Sequence, residues 1–142
     1  MADELEQLRE EVRALREERD ALRAGCDVLV ENFATGVMER LGLGYETLQE
    51  IRPDLIMASI SGYGETGPWR DYMGYGPAIS PLSGLSSLSG YIGEGPSEVG
   101  LSLGDPAAGI TAAAAVCAAL VAREESGGGQ HIDVSLLEAT AV

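Results

Sequence analysis

One uncharged run sets the terms on which this chain can fold. From Gly100 to Arg123 it reads GLSLGDPAAGITAAAAVCAALVAR, a glycine-bounded polar loop with Asp105, then Pro106, then an alanine-rich stretch without a charge before Arg123. Proline just inside a helix and a carboxylate just before it are start signals, so the pattern predicts a helix from Pro106 to about Arg123. Ile110, Val116, Cys117, Leu120 and Val121 make it apolar on every side, which predicts a buried helix rather than an amphipathic one. Its small residues, Gly109 and Ala112 to Ala115, would let a sheet or helix approach closely. Asp105 falls at the positive end of the helix dipole, where an ionised carboxylate is favoured. By position alone it reads as a cap, and its neighbours must decide whether it is more.

With 142 residues the chain is one ordinary domain, long enough for a single core. The formal net charge of −14 argues against nucleic acid and anionic membrane surfaces as partners. There is no lysine, and after residue 25 the only bases are Arg40, Arg52, Arg70 and Arg123, against 15 acids. A phosphorylated ligand would therefore meet few cations, and backbone N–H groups or a partner chain would supply the rest. Cys26 and Cys117 are expected as buried reduced thiols. No zinc spacing occurs, so no metal site is expected; His131 is the single histidine. The acidic N-terminus is not a secretory signal, and the uncharged run at 106–122 suits a core helix better than a membrane span, so a cytoplasmic protein is expected.

Leu5, Leu8, Val12, Leu15, Arg19 and Leu22 recur at spacings of three and four, a heptad-like helix over 1–24 with Arg19 interrupting the seam. Such a helix could dimerise or lie amphipathically on a sheet. Residues 25–142 read as an α/β domain. Gly25 closes the first helix, and Cys26 to Phe33 predicts a short strand running into a loop, with Val28, Leu29 and Val30 covered on both faces. Helical turns at Val37 to Leu41 and Tyr45 to Ile51 follow, then a second buried strand over Leu55 to Ile60. Ser61 to Gly76, SGYGETGPWRDYMGYG, is a loop too long for a mere connector, placed where ligands bind in open parallel sheets. A helix from about Pro77 to Ser89, a turn-rich link, the Asp105 helix, a third strand from Gln130 to Leu136 and the start of another helix complete the order.

Three segments in this order, DVLVENF with RLGLGYETL, LIMASISGYGETGP with a following GYG, and GLSLGDPAAG with GGGQHIDVSLLEA, resemble the class III CoA-transferases. That group includes formyl-CoA and crotonobetainyl-CoA:carnitine CoA-transferases. The resemblance spans roughly Gly25 onward and lies in the combination of segments. It implies a partial Rossmann-like parallel sheet with flanking helices and an enzyme moving CoA from an acyl-CoA to a free carboxylic acid. The thioester is then a substrate, and no further cofactor is implied. The family's nucleophilic aspartate falls on Asp105, forming first a mixed anhydride and then an aspartyl-CoA thioester. Its CoA contacts fall on Asn32, Phe33, Ala34, Arg40, Tyr72, Met73, Gly74 and Tyr75. Phe33 and Tyr75 would offer stacking surfaces and Arg40 a phosphate contact.

The chain also departs from the family. Ala34-Thr35-Gly36 stands where Arg-Pro-Gly is common, and Met73 where some members carry a base. Members are far longer and pair as interlocked rings, so a homodimer or a complementing chain is implied. Two other readings stand beside the enzyme: a truncated, inactive fragment or association module working through Leu5 to Leu22, and an unrelated α/β ligand-binding domain.

Overall fold

The structure, a computed structural model, describes Glu6, Glu10, 25–98 and 100–141. The heptad segment expected over 1–24 lies outside these residues apart from Glu6 and Glu10, both helical. The order is β1 (Val28–Glu31), α1 (Val37–Arg40), α2 (Tyr45–Ile51), β2 (Ile56–Ser61), α3 (Gly76–Leu82), α4 (Leu85–Leu88), α5 (Gly104–Ser126), β3 (Gln130–Ser135) and α6 (Leu136–Ala141).

The strands form one parallel sheet in the order β1-β2-β3, with Val28 opposite Ile56 and Ile56 opposite Gln130. The α/β reading is thus borne out, with helices returning the chain between parallel strands. β2 is central, and Ile56, Met57 and Ala58 are all buried, as an uninterrupted apolar run in a covered parallel strand requires, with Ser59 buried beside them. The core gathers Ile79 of α3, Ala108 and Ala112 of α5, Val134 of β3 and Leu136 of α6.

Four expectations are corrected. β1 is half-covered rather than covered on both faces, with Val30 60% exposed, and among the described residues it pairs only with β2. The helix expected at Pro77 to Ser89 is two short helices, divided at Gly84 in the left-handed region. α5 is not buried all round. Gly104, Ala108, Ala112 and Ala119 face inward, while Ile110 is 73% and Val121 65% exposed. Small residues let α5 lie close on the sheet, and its wider apolar face has no cover among the described residues. By length and composition alone this helix could also cross a membrane. Finally, Cys117 is exposed on that face and Cys26 half-buried; both are free thiols.

At the N-terminal ends of the strands, Arg52 and Arg123 close around Asp27 and Asp54. Arg52 meets Asp27 at 2.7 Å and Asp54 at 3.1 Å, and also donates to the Cys26 carbonyl; Arg123 donates to the Asp54 carbonyl at 3.0 Å and meets Asp27 at 3.2 Å. The hydrogen bond from Arg52 is the main reason the Asp54 carboxyl lies below its ordinary range. An acid whose pKa falls on folding stabilises the folded state above its unfolded pKa and loses that contribution as pH drops through the folded value. Asp54→Asn should therefore lower the urea midpoint at pH 7 and converge with wild type under acid. With Asp54 42% exposed, screening limits the gap to about 1 kcal/mol or less. A gap unchanged down to the acid end would rule out this linkage.

Candidate active site

All three strands end at one cleft. Asn32 follows β1, Ser61 and Gly62 stand at the end of β2, and Leu136 follows β3; each lines a cavity of about 440 Å³. This is where open parallel sheets bind ligands, because the loops diverge there and helix N-termini point in. Phe33, Ala34 and Thr35 continue one wall, Arg70 and Tyr72 to Pro77 form another, and Ser102 and Asp105 close the floor.

Local chemistry fixes each wall. Asn32 Nδ2 donates to the Ile60 carbonyl at 2.9 Å, tying the end of β1 to β2. The long loop is anchored at its root, where the Glu65 N–H donates to both Asp133 carboxylate oxygens at 3.0 Å. His131 Nε2 lies 2.9 Å from Ser59 Oγ and 3.5 Å from Glu65, and the Tyr45 ring stacks on it at 5.0 Å. Burial raises the Glu65 carboxyl above its ordinary range, with His131 acting in the opposite direction. The loop then closes on itself: a Cβ on Gly62 would come within 2.5 Å of Gly74 Cα, so the two strands of the loop cross only because both residues are glycine. On either side of Gly74, Tyr72, Met73 and Tyr75 stand exposed along the cleft.

Asp105 is not the residue before the helix, as its place before Pro106 suggested. It is the second residue of α5, whose N-cap is Leu103, and no side chain caps that end. Its carboxylate instead accepts a hydrogen bond from Ser102 Oγ at 2.5 Å and remains exposed in the cleft. An anion in a helix's first turn is stabilised by the dipole without being tied to a backbone N–H.

The cleft therefore brings together Asp105, Asn32, Phe33, Ala34, Tyr72, Met73, Gly74 and Tyr75. Arg40 is not among its lining residues; it ends α1, with a guanidinium nitrogen over Gly36. Ser102, Arg70 and Gly76 were not singled out by sequence. Arg70 is the one cation lining the cleft among the described residues, weakly paired with Asp71 at 3.7 Å. Ser102 had a signal, the Ser-x-x-Asp spacing at a helix start.

Known proteins resemble this chain in sequence and fold. An acyl-CoA transferase of Fusarium pseudograminearum is 46% identical over 112 residues, covering 79% of this chain and 25% of its own length. The acetyl-CoA:oxalate CoA-transferase of Acetobacter aceti is 45% identical over 115 residues, 80% of this chain and 30% of its own. A CaiB/BaiF family protein from Brucella suis, known from its crystal structure, superposes with a TM-score of 0.80 at 37% identity, over 88% of this chain and 34% of its own. The chain thus spans about a quarter to a third of the length of the proteins it matches. The sequence profile of CoA-transferase family III matches residues 12–142, starting inside the heptad-patterned segment and taking in every element of the cleft, and the chain belongs to that family.

Proposed function

We propose that this chain carries the nucleophile and part of the coenzyme A site of an enzyme that moves CoA from an acyl-CoA to a free carboxylic acid. The observation that supports it is the cleft itself, which puts an exposed carboxylate at a helix start beside exposed aromatic and amide side chains at the strand ends. Asp105 attacks the thioester carbonyl; the C–S bond breaks, CoA thiolate leaves and a mixed anhydride forms. The thiolate then attacks the aspartyl carbon, expelling the first acid and leaving an aspartyl-CoA thioester. The acceptor acid reverses both steps. Phe33, Tyr72 and Tyr75 offer apolar surface to the CoA, and Asn32 shapes the wall between them.

Charge defines what the chain needs from elsewhere. Arg52 and Arg123 are engaged with Asp27 and Asp54 at the opposite end of the sheet, so Arg70 is the phosphate or carboxylate contact within the cleft, and Arg40 serves at its margin. A homodimer or a complementing chain supplies further cations and covers the exposed face of α5. The relatives' names suggest short acids such as oxalate as acceptors.

Thermal melting of the purified chain with and without CoA tests the binding half of this proposal. A ligand held only by the folded state stabilises it by about 2.7 kcal/mol at a hundredfold excess over Kd, which for a domain of this size is on the order of 10 °C. A cooperative transition that does not move with CoA would remove the cleft as a CoA site.

A further inference from the structure

Ser102-Leu103-Gly104-Asp105 has the spacing of a capping box, in which each polar side chain would take the other residue's backbone N–H. Neither side chain does so. Leu103 is the N-cap, no side chain caps α5, and the Ser102 hydroxyl instead donates to Asp105 Oδ2 at 2.5 Å. Space for the hydroxyl comes from across the cleft: a Cβ on Gly76 would collide with Ser102 Oγ and lie 2.5 Å from Asp105 Oδ2. Three residues from two helix starts distant in sequence therefore combine to present one carboxylate, and all three line the cleft.

We infer that Ser102 is a further catalytic residue, a hydroxyl donor to one oxygen of the nucleophile throughout the exchange; this rests on the assignment of Asp105 as nucleophile. With Oδ2 engaged, Oδ1 is the oxygen that adds to the thioester carbonyl carbon. When the C–S bond breaks and the thiolate leaves, Oδ2 becomes the carbonyl oxygen of the aspartyl anhydride. Thiolate addition to Asp105 Cγ then drives the Cγ–Oδ2 π pair onto Oδ2, where the Ser102 O–H is already aimed. Collapse restores that carbonyl, breaks the Cγ–Oδ1 bond and releases the first acid as its carboxylate. Ser102 keeps its proton throughout and acts only as a hydrogen-bond donor. The donor strengthens as charge gathers on Oδ2, so it favours the tetrahedral state over the anhydride before it and the aspartyl-CoA thioester after it.

The test follows the covalent CoA adduct on the intact 142-residue chain by mass spectrometry after mixing with acetyl-CoA, for wild type, Ser102→Ala, Ser102→Thr and Asp105→Ala. The expected result is an adduct on wild type, none on Asp105→Ala, and formation on Ser102→Ala slower by about 10²–10³-fold, the usual effect of losing one such donor. Acetyl-CoA concentration dependence and melting temperature should stay near wild type in Ser102→Ala, and Ser102→Thr, which keeps the hydroxyl, should recover most of the rate. A merely structural serine would move melting and substrate dependence together with the rate. An adduct forming on Ser102→Ala at the wild-type rate overturns the role of Ser102 alone. No adduct on wild type, or one on Asp105→Ala, overturns the assignment of Asp105 beneath it.

Discussion

Replacing Asp105 with alanine is expected to abolish CoA transfer, by on the order of 10⁴-fold or more, while CoA binding changes by no more than a few-fold. The proposed chemistry needs an oxygen nucleophile that can carry an acyl group and then a thioester, and alanine offers neither. The remaining surface of the cleft, from Asn32 to Ala34 and from Tyr72 to Tyr75, is left in place. The fold should tolerate the change, because the Asp105 side chain is exposed and caps nothing; loss of its favourable interaction with the dipole of α5 costs about 0.3–1 kcal/mol. Asp105→Asn is the sharper companion, since it keeps the shape and can still accept the Ser102 hydrogen bond without the charge. Both variants should retain the CoA-dependent rise in melting temperature. Turnover surviving in either would remove Asp105 from the mechanism, and loss of the CoA response with the turnover would mean that Asp105 holds the site together instead.

The parts of this fold legible in the sequence are those set by local pattern. β2 announces itself because a central parallel strand needs apolar residues on both faces, and Ile56 to Ala58 provide them. The long loop after β2 could be placed at a ligand site because it follows the carboxyl end of a parallel strand, whereas Asn32 and Phe33 after β1 came only from the family resemblance. Sidedness was not legible in α5. An alanine-rich helix looks alike from every direction, and only the sheet beneath it decides that Ala108 is covered while Ile110 is not. Arg40 came only from the family resemblance, and the structure puts it at the end of α1, outside the residues that line the cavity. Gly76 was opaque for a different reason. Among so many glycines, nothing local distinguishes the one whose missing side chain makes room for a contact with residues far along the chain.

That contact makes Gly76→Ala the substitution with the largest expected structural consequence relative to its size. At the first position of α3, alanine would by itself favour the helix by up to about 1 kcal/mol. The added methyl, however, would occupy the place of Ser102 Oγ and stand 2.8 Å from Ser102 Cβ. Rotating the serine relieves the first overlap but not the second, so the start of α3 and the loop before α5 must separate. Overpacking of this kind costs about 1–3 kcal/mol, and the melting temperature should fall by about 3–10 °C. Separation also swings the Asp105 carboxylate away from the cleft wall, and a displacement near 1 Å is enough for about a hundredfold loss of rate. Combining Gly76→Ala with Ser102→Gly removes the colliding atoms and leaves only the Asp105 carboxylate, which can rotate aside. The double variant should therefore melt above the sum of the two single effects while its rate stays low, since the hydroxyl is gone. Strictly additive melting temperatures would show that the two residues do not touch, and with that the arrangement that presents Asp105 to the cleft would have to be abandoned.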